Sequence, residues 1–513
     1  MGGQDHTGID AQGEVVALLL DPRSHHGGGP VDHIETHGAH VFLVGDRAYK
    51  IKRAVILPYL DFSTPEKRLA MLARELELNR RFAPDLYLGI IAITRGTDGR
   101  LRLGGEGPAV EHALMLRRFD QSALLLERAR SGSLDALLAP RLAAAVCATH
   151  AGAGAGPTTG GAARTQATIT RLCANLDRLR ANLGPEVDTV RPHALAEFER
   201  VRAVLDARAT QGHVRRCHGD LHLGNVVVLD GVPTVFDALE FDEDLATIDM
   251  LYDLAFLLMD LDRLGAAAFA GRVRDDYLRI REYVDLEGLR ALPLFMALRA
   301  GIRAMVHAER ASQSGRPDDE TAARRYLGDC LAHLAPPAPR LIAVGGFSGT
   351  GKTTLARALA PMIGPRPAAI HLRSDVERKA MLGHPELERL DAMAYTPAAT
   401  AKVYARIADV ARRALDAGQS VIVDAVFSRI EERVAIEAAA RDAGAAFDGL
   451  WLVADPEVMQ ARVAGRRDDA SDATGDIVAA QVDRGAGSVT WTKVDASGRA
   501  GEVRTQARRA LGL

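Results

Sequence analysis

The chain has 513 residues, 47% hydrophobic and 26% charged, with a formal net charge of −3. That length exceeds what one hydrophobic core usually supports and implies two or three domains. The near-neutral balance argues against a generally basic nucleic-acid binder and leaves only a local patch open to such a partner. No stretch is apolar enough to span a bilayer; the nearest, Leu251–Leu261, is interrupted by Asp253 and Asp260. The opening MGGQDHTGID lacks a basic and apolar signal, which implies a cytoplasmic protein. Cys147, Cys173, Cys217 and Cys330 are scattered without paired spacing, so they read as core residues rather than as a disulfide framework or a zinc site. Arginine supplies nearly all of the 64 basic residues, with lysine only at positions 50, 52, 67, 352, 379, 402 and 493. Each lysine therefore invites a reason for a compact ammonium.

In chain order, residues 13 to 30 give a short apolar helix and a Gly/His-rich turn. His40–Val44, a turn at 45–47 and Ala48–Arg53 alternate at strand spacing and predict a β-hairpin, with Lys50 and Lys52 on one face. Pro65–Phe82 predicts a helix with an apolar stripe of Leu69, Leu72 and Leu76, and Glu75 beside it. A strand lysine followed by a helix glutamate is how a kinase holds the α/β-phosphates of a nucleotide, although taken singly such residues usually face solvent. Ala151–Gly161 is low in complexity and reads as a loop, with helices at Ile169–Asn182 and Leu195–Ala207.

Residues 217–241, CHGDLHLGNVVVLDGVPTVFDALEF, parse as a turn bearing His218, Gly219, Asp220 and Asn225, then a strand Val226–Leu229. A turn at Gly231–Pro233 and a strand Thr234–Phe236 follow and deliver Asp237. Phosphoryl transfer needs a carboxylate near the attacking hydroxyl and oxygen ligands for Mg²⁺. Asp220 offers the first; Asn225 and Asp237 offer the second. H-G-D-L-H-L-G-N followed by V-F-D resembles the catalytic and metal-binding segments of aminoglycoside phosphotransferase-like kinases, over roughly the first 335 residues. The resemblance implies an α+β, protein-kinase-like N-terminal domain in which Lys50 or Lys52 is the phosphate lysine and Glu75 its partner. The strand register fits either lysine. No G-x-G-x-x-G, D-F-G or A-P-E is present, which points away from protein substrates.

Ile248–Leu264 is apolar nearly all round, as in a buried helix. It carries Asp249 and Asp253, where the resemblance implies an aspartate bracing the catalytic loop. Helices follow at Leu289–Ser312 and Asp319–Leu334. The proline-rich APPAPR then marks a boundary, giving domains 1–335 and 341–513 joined by a linker, 336–340.

Leu341–Thr354, LIAVGGFSGTGKTT, fits G-x-x-x-x-G-K-[ST], with Gly346, Gly351, Lys352 and Thr353 in the defining places and Ser348, Gly349, Thr350 and Thr354 completing the loop. Glycines let backbone N–H groups curl round a triphosphate, the lysine reaches the β/γ-phosphates, and the threonine hydroxyl can hold Mg²⁺. An apolar strand precedes the loop and a helix, Thr354–Met362, follows it, adding its dipole to anion binding. Strands at 341–345, 368–372, 420–424, 448–453 and 489–495 alternate with helices and predict an α/β P-loop kinase domain with a mostly parallel sheet. Asp424 ends a strand where a phosphate-loop enzyme holds its metal. Asp455 and Pro456 open a helix that carries Met459, Arg462 and Arg466. Ser374–Lys379 and the segment RVAGRRDDASDA, 462–473, resemble small P-loop kinases of the gluconate kinase, polynucleotide kinase and zeta-toxin type. That resemblance implies Asp375 as the acceptor-side base and Arg462, Arg466 and Arg467 as lid cations. No second helical domain of the AAA+ type follows, which argues against a motor.

Taken whole, the chain resembles bacterial bifunctional proteins that join an aminoglycoside phosphotransferase-like domain to a P-loop ATP-binding domain. The resemblance implies an ATP- and Mg²⁺-dependent phosphotransferase with two nucleotide sites, acting on hydroxyls of small polar acceptors such as sugars or amino sugars, without a membrane partner. Two other readings stand beside it: a P-loop half that phosphorylates polynucleotide or nucleoside 5′-hydroxyls, with nucleic acid the less favoured partner, and an ATP-binding regulatory or scaffold protein. Oligomeric state leaves no signal in the sequence.

Overall fold

A computed structural model describes residues 7–36, 38–57, 60–467 and 469–513. The opening residues 1–6 and Asp468 of the arginine-rich segment lie outside them. The chain packs as two compact units: residues up to Leu134 with Ala148–Gly156 and Arg215–Ile248, and Asp135–Cys147 with Pro157–Val214 and Asp249–Leu513. The units thus divide the chain elsewhere than at the proline-rich stretch, of which residues 336–339 carry no regular structure.

In the first unit, helix α1 (Thr7–Leu20) precedes a six-stranded antiparallel sheet built from β1 (Asp32–Glu35), β2 (Ala39–Val44), β3 (Arg47–Lys52), β4 (Tyr87–Arg95), β5 (Leu101–Leu103) and β6 (Ala109–Arg117), in the order β1-β2-β3-β6-β4-β5. The hairpin expected at 40–53 is β2–β3, with Phe42 opposite Tyr49. Helix α2 (Pro65–Asn79) starts at Thr64, whose hydroxyl accepts the N–H of Lys67 at 3.3 Å, with Pro65 in the first turn. Its buried face runs through Arg68, Leu72, Glu75, Leu78 and Asn79. The stripe is therefore rotated from Leu69–Leu72–Leu76, and Glu75 lies within the buried face rather than beside it. Leu72 packs with Leu86 and with Tyr87 and Leu114 of the sheet, a contact in which each buried leucine contributes about 1.5–3 kcal/mol. A separate hairpin, β7 (Val226–Leu229) and β8 (Val232–Val235), pairs Val226 with Val235. Its first strand has the expected bounds.

The second unit joins a helical part to a parallel sheet. Helices α3 (Gly161–Arg178) and α4 (Val187–Thr210) start earlier than expected, and α4 contains Pro192. α5 (Met250–Arg263) is buried on nearly every face, as its composition predicts. Asp249 caps it, accepting the N–H of Leu251 at 2.8 Å, and takes a bidentate pair from Arg208 with both arms at 2.7 Å. α6 (Ala267–Ile280), α7 (Leu292–Ser314) and α8 (Pro317–His333) also belong to this part. The sheet contains β9 (Arg340–Gly345), β10 (Ile370–Arg373), β11 (Val421–Asp424), β12 (Ala446–Val453) and β13 (Thr492–Asp495), all parallel, in the order β10-β11-β9-β12-β13. Helices α9 (Lys352–Leu359), α10 (Ser374–Met381), α11 (Pro397–Asp416), α12 (Ile430–Asp442), α13 (Pro456–Ala464), α14 (Gly475–Arg484) and α15 (Ala500–Leu511) connect and flank the strands. The sheet core gathers Ile342, Val344, Ile422, Leu450 and Leu452.

β10 is an edge strand, and α6 covers its open edge. Arg274 donates to the carbonyl of Ala368 at 2.6 Å, and Asp275 accepts the N–H of His371 at 3.0 Å. Two side chains thus occupy the backbone groups that another strand would pair. All four cysteines are buried thiols. Among the described residues, no helix is long and apolar enough to cross a membrane.

Candidate functional site

Both lysines of β3 reach the same helix carboxylate. Lys50 Nζ lies 2.8 Å from Glu75 Oε1 and 2.7 Å from Asp237 Oδ1, while Lys52 Nζ lies 2.7 Å from Glu75 Oε2 and also pairs with Glu240. Lys50 is thus the lysine that links Glu75 to the hairpin aspartate. Burial alone would depress its ammonium, but Asp237 and Glu75 hold it well above the ordinary range. Asp237 follows β8 in the left-handed region at φ 60°, a conformation that costs free energy and is held here by neighbours. Its N–H donates to the Tyr87 hydroxyl at 3.0 Å, and the N–H of Ala238 donates to Asn79 Oδ1 at 2.9 Å.

The hairpin also sets Asn225 near Asp237, because the N–H of Phe236 donates to the carbonyl of Asn225 at 3.0 Å. The Asn225 amide nitrogen donates to the carbonyl of Asp220 at 3.0 Å, leaving Oδ1 as its hard ligand atom. His218 is buried; one ring nitrogen bonds the carbonyl of Phe236 at 2.9 Å, and the N–H of Asp220 donates to the other at 3.3 Å. The loop carrying Asp220 is thereby tied to the strand that delivers Asp237. Two oxygen ligands, a lysine and a part-exposed carboxylate converge, a donor set that fits Mg²⁺ beside phosphates.

In the second unit the loop after β9 turns on glycines. A Cβ at Gly346 would come within 2.7 Å of the Leu452 carbonyl, and Gly351 caps α9 at φ +91°. Lys352 opens α9 and donates to the carbonyl of Phe347 at 3.0 Å, and burial pushes its ammonium below the ordinary range. The Thr353 hydroxyl donates to Asp424 at the end of β11. Burial would raise the Asp424 carboxyl, but His371, Arg373 and Lys352 hold it well below the usual range. Thr353 and Asp424 present adjacent hard oxygens and fit a divalent cation.

Ser348, Gly349, Thr350, Thr354, Asp375, Arg462, Arg466 and Arg467 line the same cavity, of about 900 Å³. Asp375 sits in the first turn of α10, and burial raises its carboxyl, opposed by Arg373. Arg462 donates to the carbonyls of Ala496 at 2.8 Å and Gly498 at 2.9 Å. Helix α13 ends at Ala464 with Gly465 as its cap, so Arg466 lies beyond the helix expected to carry it; Asp455 holds the N-cap place without a side-chain capping bond. From the 462–473 segment, Asp472 takes Lys379 Nζ at 3.2 Å, the Tyr395 hydroxyl at 2.6 Å and the N–H of Leu390 at 3.1 Å. Gln481 of α14 accepts the N–H of Ser348 at 2.8 Å. Arg373 also faces the Thr353 hydroxyl and Asp424, His371 faces Asp424, and Asp469 pairs with Arg373. Asp469 lies in the 462–473 segment, where nothing singles it out, and Arg373 and His371 belong to no motif; the sequence signal for Arg373 is its position at a strand end directly before Ser374 and Asp375.

Residues 61–292 match the family model described as "Phosphotransferase enzyme family", and residues 341–489 match the one described as "AAA domain". Uncharacterized proteins of Mycobacterium tuberculosis (strain ATCC 25618 / H37Rv) and Mycobacterium bovis (strain ATCC BAA-935 / AF2122/97) are each 32% identical over 483 residues, covering 91% of this chain and 93% of theirs. The chain belongs to their family. It joins an aminoglycoside phosphotransferase-like domain to a P-loop domain and is an enzyme of the phosphotransferase type. Among solved structures, a gluconokinase from Sinorhizobium meliloti 1021 is similar over 34% of this chain and 92% of its own, at 20% identity and a TM-score of 0.25. A GDP complex of aminoglycoside 2′-phosphotransferase-IIIa is similar over 62% of this chain and 97% of its own, at 15% identity and a TM-score of 0.40.

Proposed function

We propose that the chain is an ATP- and Mg²⁺-dependent phosphotransferase with two nucleotide sites, each transferring the γ-phosphoryl group to a hydroxyl of a small polar acceptor. The observation that carries this reading is the recurrence, in two unrelated folds of one chain, of a half-buried lysine beside hard-oxygen ligands and a further carboxylate. In the first unit these are Lys50 with Glu75, Asn225 and Asp237, and Asp220; in the second they are Lys352, Thr353 with Asp424, and Asp375. Bound Mg²⁺ supplies charge neutralisation at the phosphates.

Lys50 is the phosphate lysine in this reading, because it alone of the two bridges Glu75 and Asp237. Asp220 and Asp375 accept the proton of the attacking hydroxyl, and burial raises the carboxyl of Asp375. Arg466 stabilises charge on the transferring group, while Arg462 fixes α13 against the loop after β13. The domains follow residues 1–335 and 341–513. The experiment is acceptor-dependent ATP turnover with Mg²⁺, in which Asp220→Ala and Lys352→Ala each remove the turnover of one half.

A further inference from the structure

The cavity beside Lys352 contains a cation that no motif announces. Arg373 ends β10 and is 5% exposed. Its Nη2 lies 3.2 Å from Asp469 Oδ1 and 3.4 Å from the Thr353 hydroxyl, and its Nε lies 3.7 Å from Asp424 Oδ2. Its Nη1 stands 3.5 Å from Glu386 Oε1 and has no hydrogen-bond acceptor among the described residues. A guanidinium settled in a structural ion pair makes a short, bidentate fork, as Arg208 does on Asp249 with both arms at 2.7 Å. Arg373 instead stands among three carboxylates at longer range, with a buried N–H left over, a state that native interiors rarely keep without a use. Arg466 repeats the pattern, its Nη1 also buried without an acceptor, and both line the cavity with Lys352 and Asp375.

We propose that Arg373 is a binding residue for the terminal phosphoryl group of a nucleoside triphosphate in the P-loop site, an inference that rests on the nucleotide reading above. Thr353 and Asp424 offer the hard oxygens for a divalent ion, and Arg373 touches both residues. Arg373, Arg466 and Lys352 line one cavity, and an anion entering it would supply the acceptor that the buried Nη1 groups of both arginines lack. A terminal phosphoryl is that anion: it accepts from Nη1 and Nη2 together and draws the guanidinium from Asp469. A diphosphate lacks the group, so Arg373 separates triphosphate from diphosphate, whereas Lys352 serves both.

The test is calorimetry with Mg²⁺ and either ADP or a non-hydrolysable ATP analogue, read on the binding that Lys352→Ala abolishes. Arg373→Lys keeps the charge and loses the fork; the expected result is triphosphate binding weaker by about ten-fold or more, the worth of one charge-assisted contact, with ADP binding changed less than about two-fold. Arg373→Ala should show a larger loss of the same selectivity; if it fails to fold by thermal melting, Arg373→Lys decides. Equal weakening of both nucleotides, or no change in either, overturns the role of Arg373 and leaves the nucleotide reading standing. If the unaltered protein shows no Lys352-dependent binding of either nucleotide, the nucleotide reading fails and the role of Arg373 with it.

Discussion

Lys50 and Lys52 share a strand face and a carboxylate, yet replacing each with methionine should have opposite consequences. Lys52 has a side chain only 4% exposed, between Glu75 at 0% and Glu240 at 11%. Removing it leaves Glu75 its contact to Lys50 but strands the carboxylate of Glu240, with little access to water, which costs about 3–5 kcal/mol for a broken buried pair and lowers the melting temperature by on the order of 10 °C. Lys50 differs in both respects. Without it Glu75 keeps Lys52 at 2.7 Å, and Asp237, 41% exposed, can turn to solvent. The stability loss should stay within about 1–2 kcal/mol, the range of a partly exposed charged hydrogen bond. Its effect falls on chemistry: loss of one positioned donor lowers the rate by roughly 10²–10³, or about 2.7–4 kcal/mol of barrier. Thermal melting and Asp220-dependent turnover of both variants give the comparison. If Lys52→Met abolishes turnover at an unchanged melting temperature while Lys50→Met turns over normally, the assignment of Lys50 is wrong.

Two further predictions concern carboxyls raised by burial. Asp375 must be ionised to accept a proton, so P-loop turnover should fall as pH drops through a pKa above the ordinary aspartate range; Asp375→Asn should abolish the turnover at every pH, and an acid limb at an unperturbed value would contradict the role. Burial pushes the Asp262 carboxyl up to about 6, with Arg366 opposing. Because the folded state holds this proton more tightly, its penalty is absent below the unfolded value near 4, grows as pH rises and is complete above about 6. Asp262→Asn should therefore raise the melting temperature at pH 7.5 by several degrees and have little effect at pH 4; equal effects at both pH values would refute this.

Much of this architecture is legible because it is written locally. The β2–β3 hairpin, the strand Val226–Leu229 and the strand–loop–helix around Lys352 each have their pattern within about a dozen residues, and the structure places them there. What escapes the sequence depends on distant neighbours. The face of α2 is set by the sheet it meets, which turns Glu75 inward. Gly161, given to the loop, and Pro192, ahead of the helix expected from Leu195, lie within α3 and α4, where tertiary packing outweighs propensity. The spacing of two lysines cannot say which one meets Asp237, since that contact spans 187 positions. Arg373 escaped for the same reason: Asp469, one of its partners, lies 96 positions away.

The measurement that bears most directly on two phosphotransferase sites is phosphorylation of sugars, amino sugars, nucleosides and 5′-hydroxyl oligonucleotides from ATP and Mg²⁺, comparing unaltered protein with Asp220→Ala, Lys352→Ala and the double variant. The account predicts acceptor-dependent transfer in which Asp220→Ala removes one set of products, Lys352→Ala removes another, and the double variant makes none. Transfer that survives in the double variant, or ATP binding with no acceptor phosphorylated by any form, would contradict it.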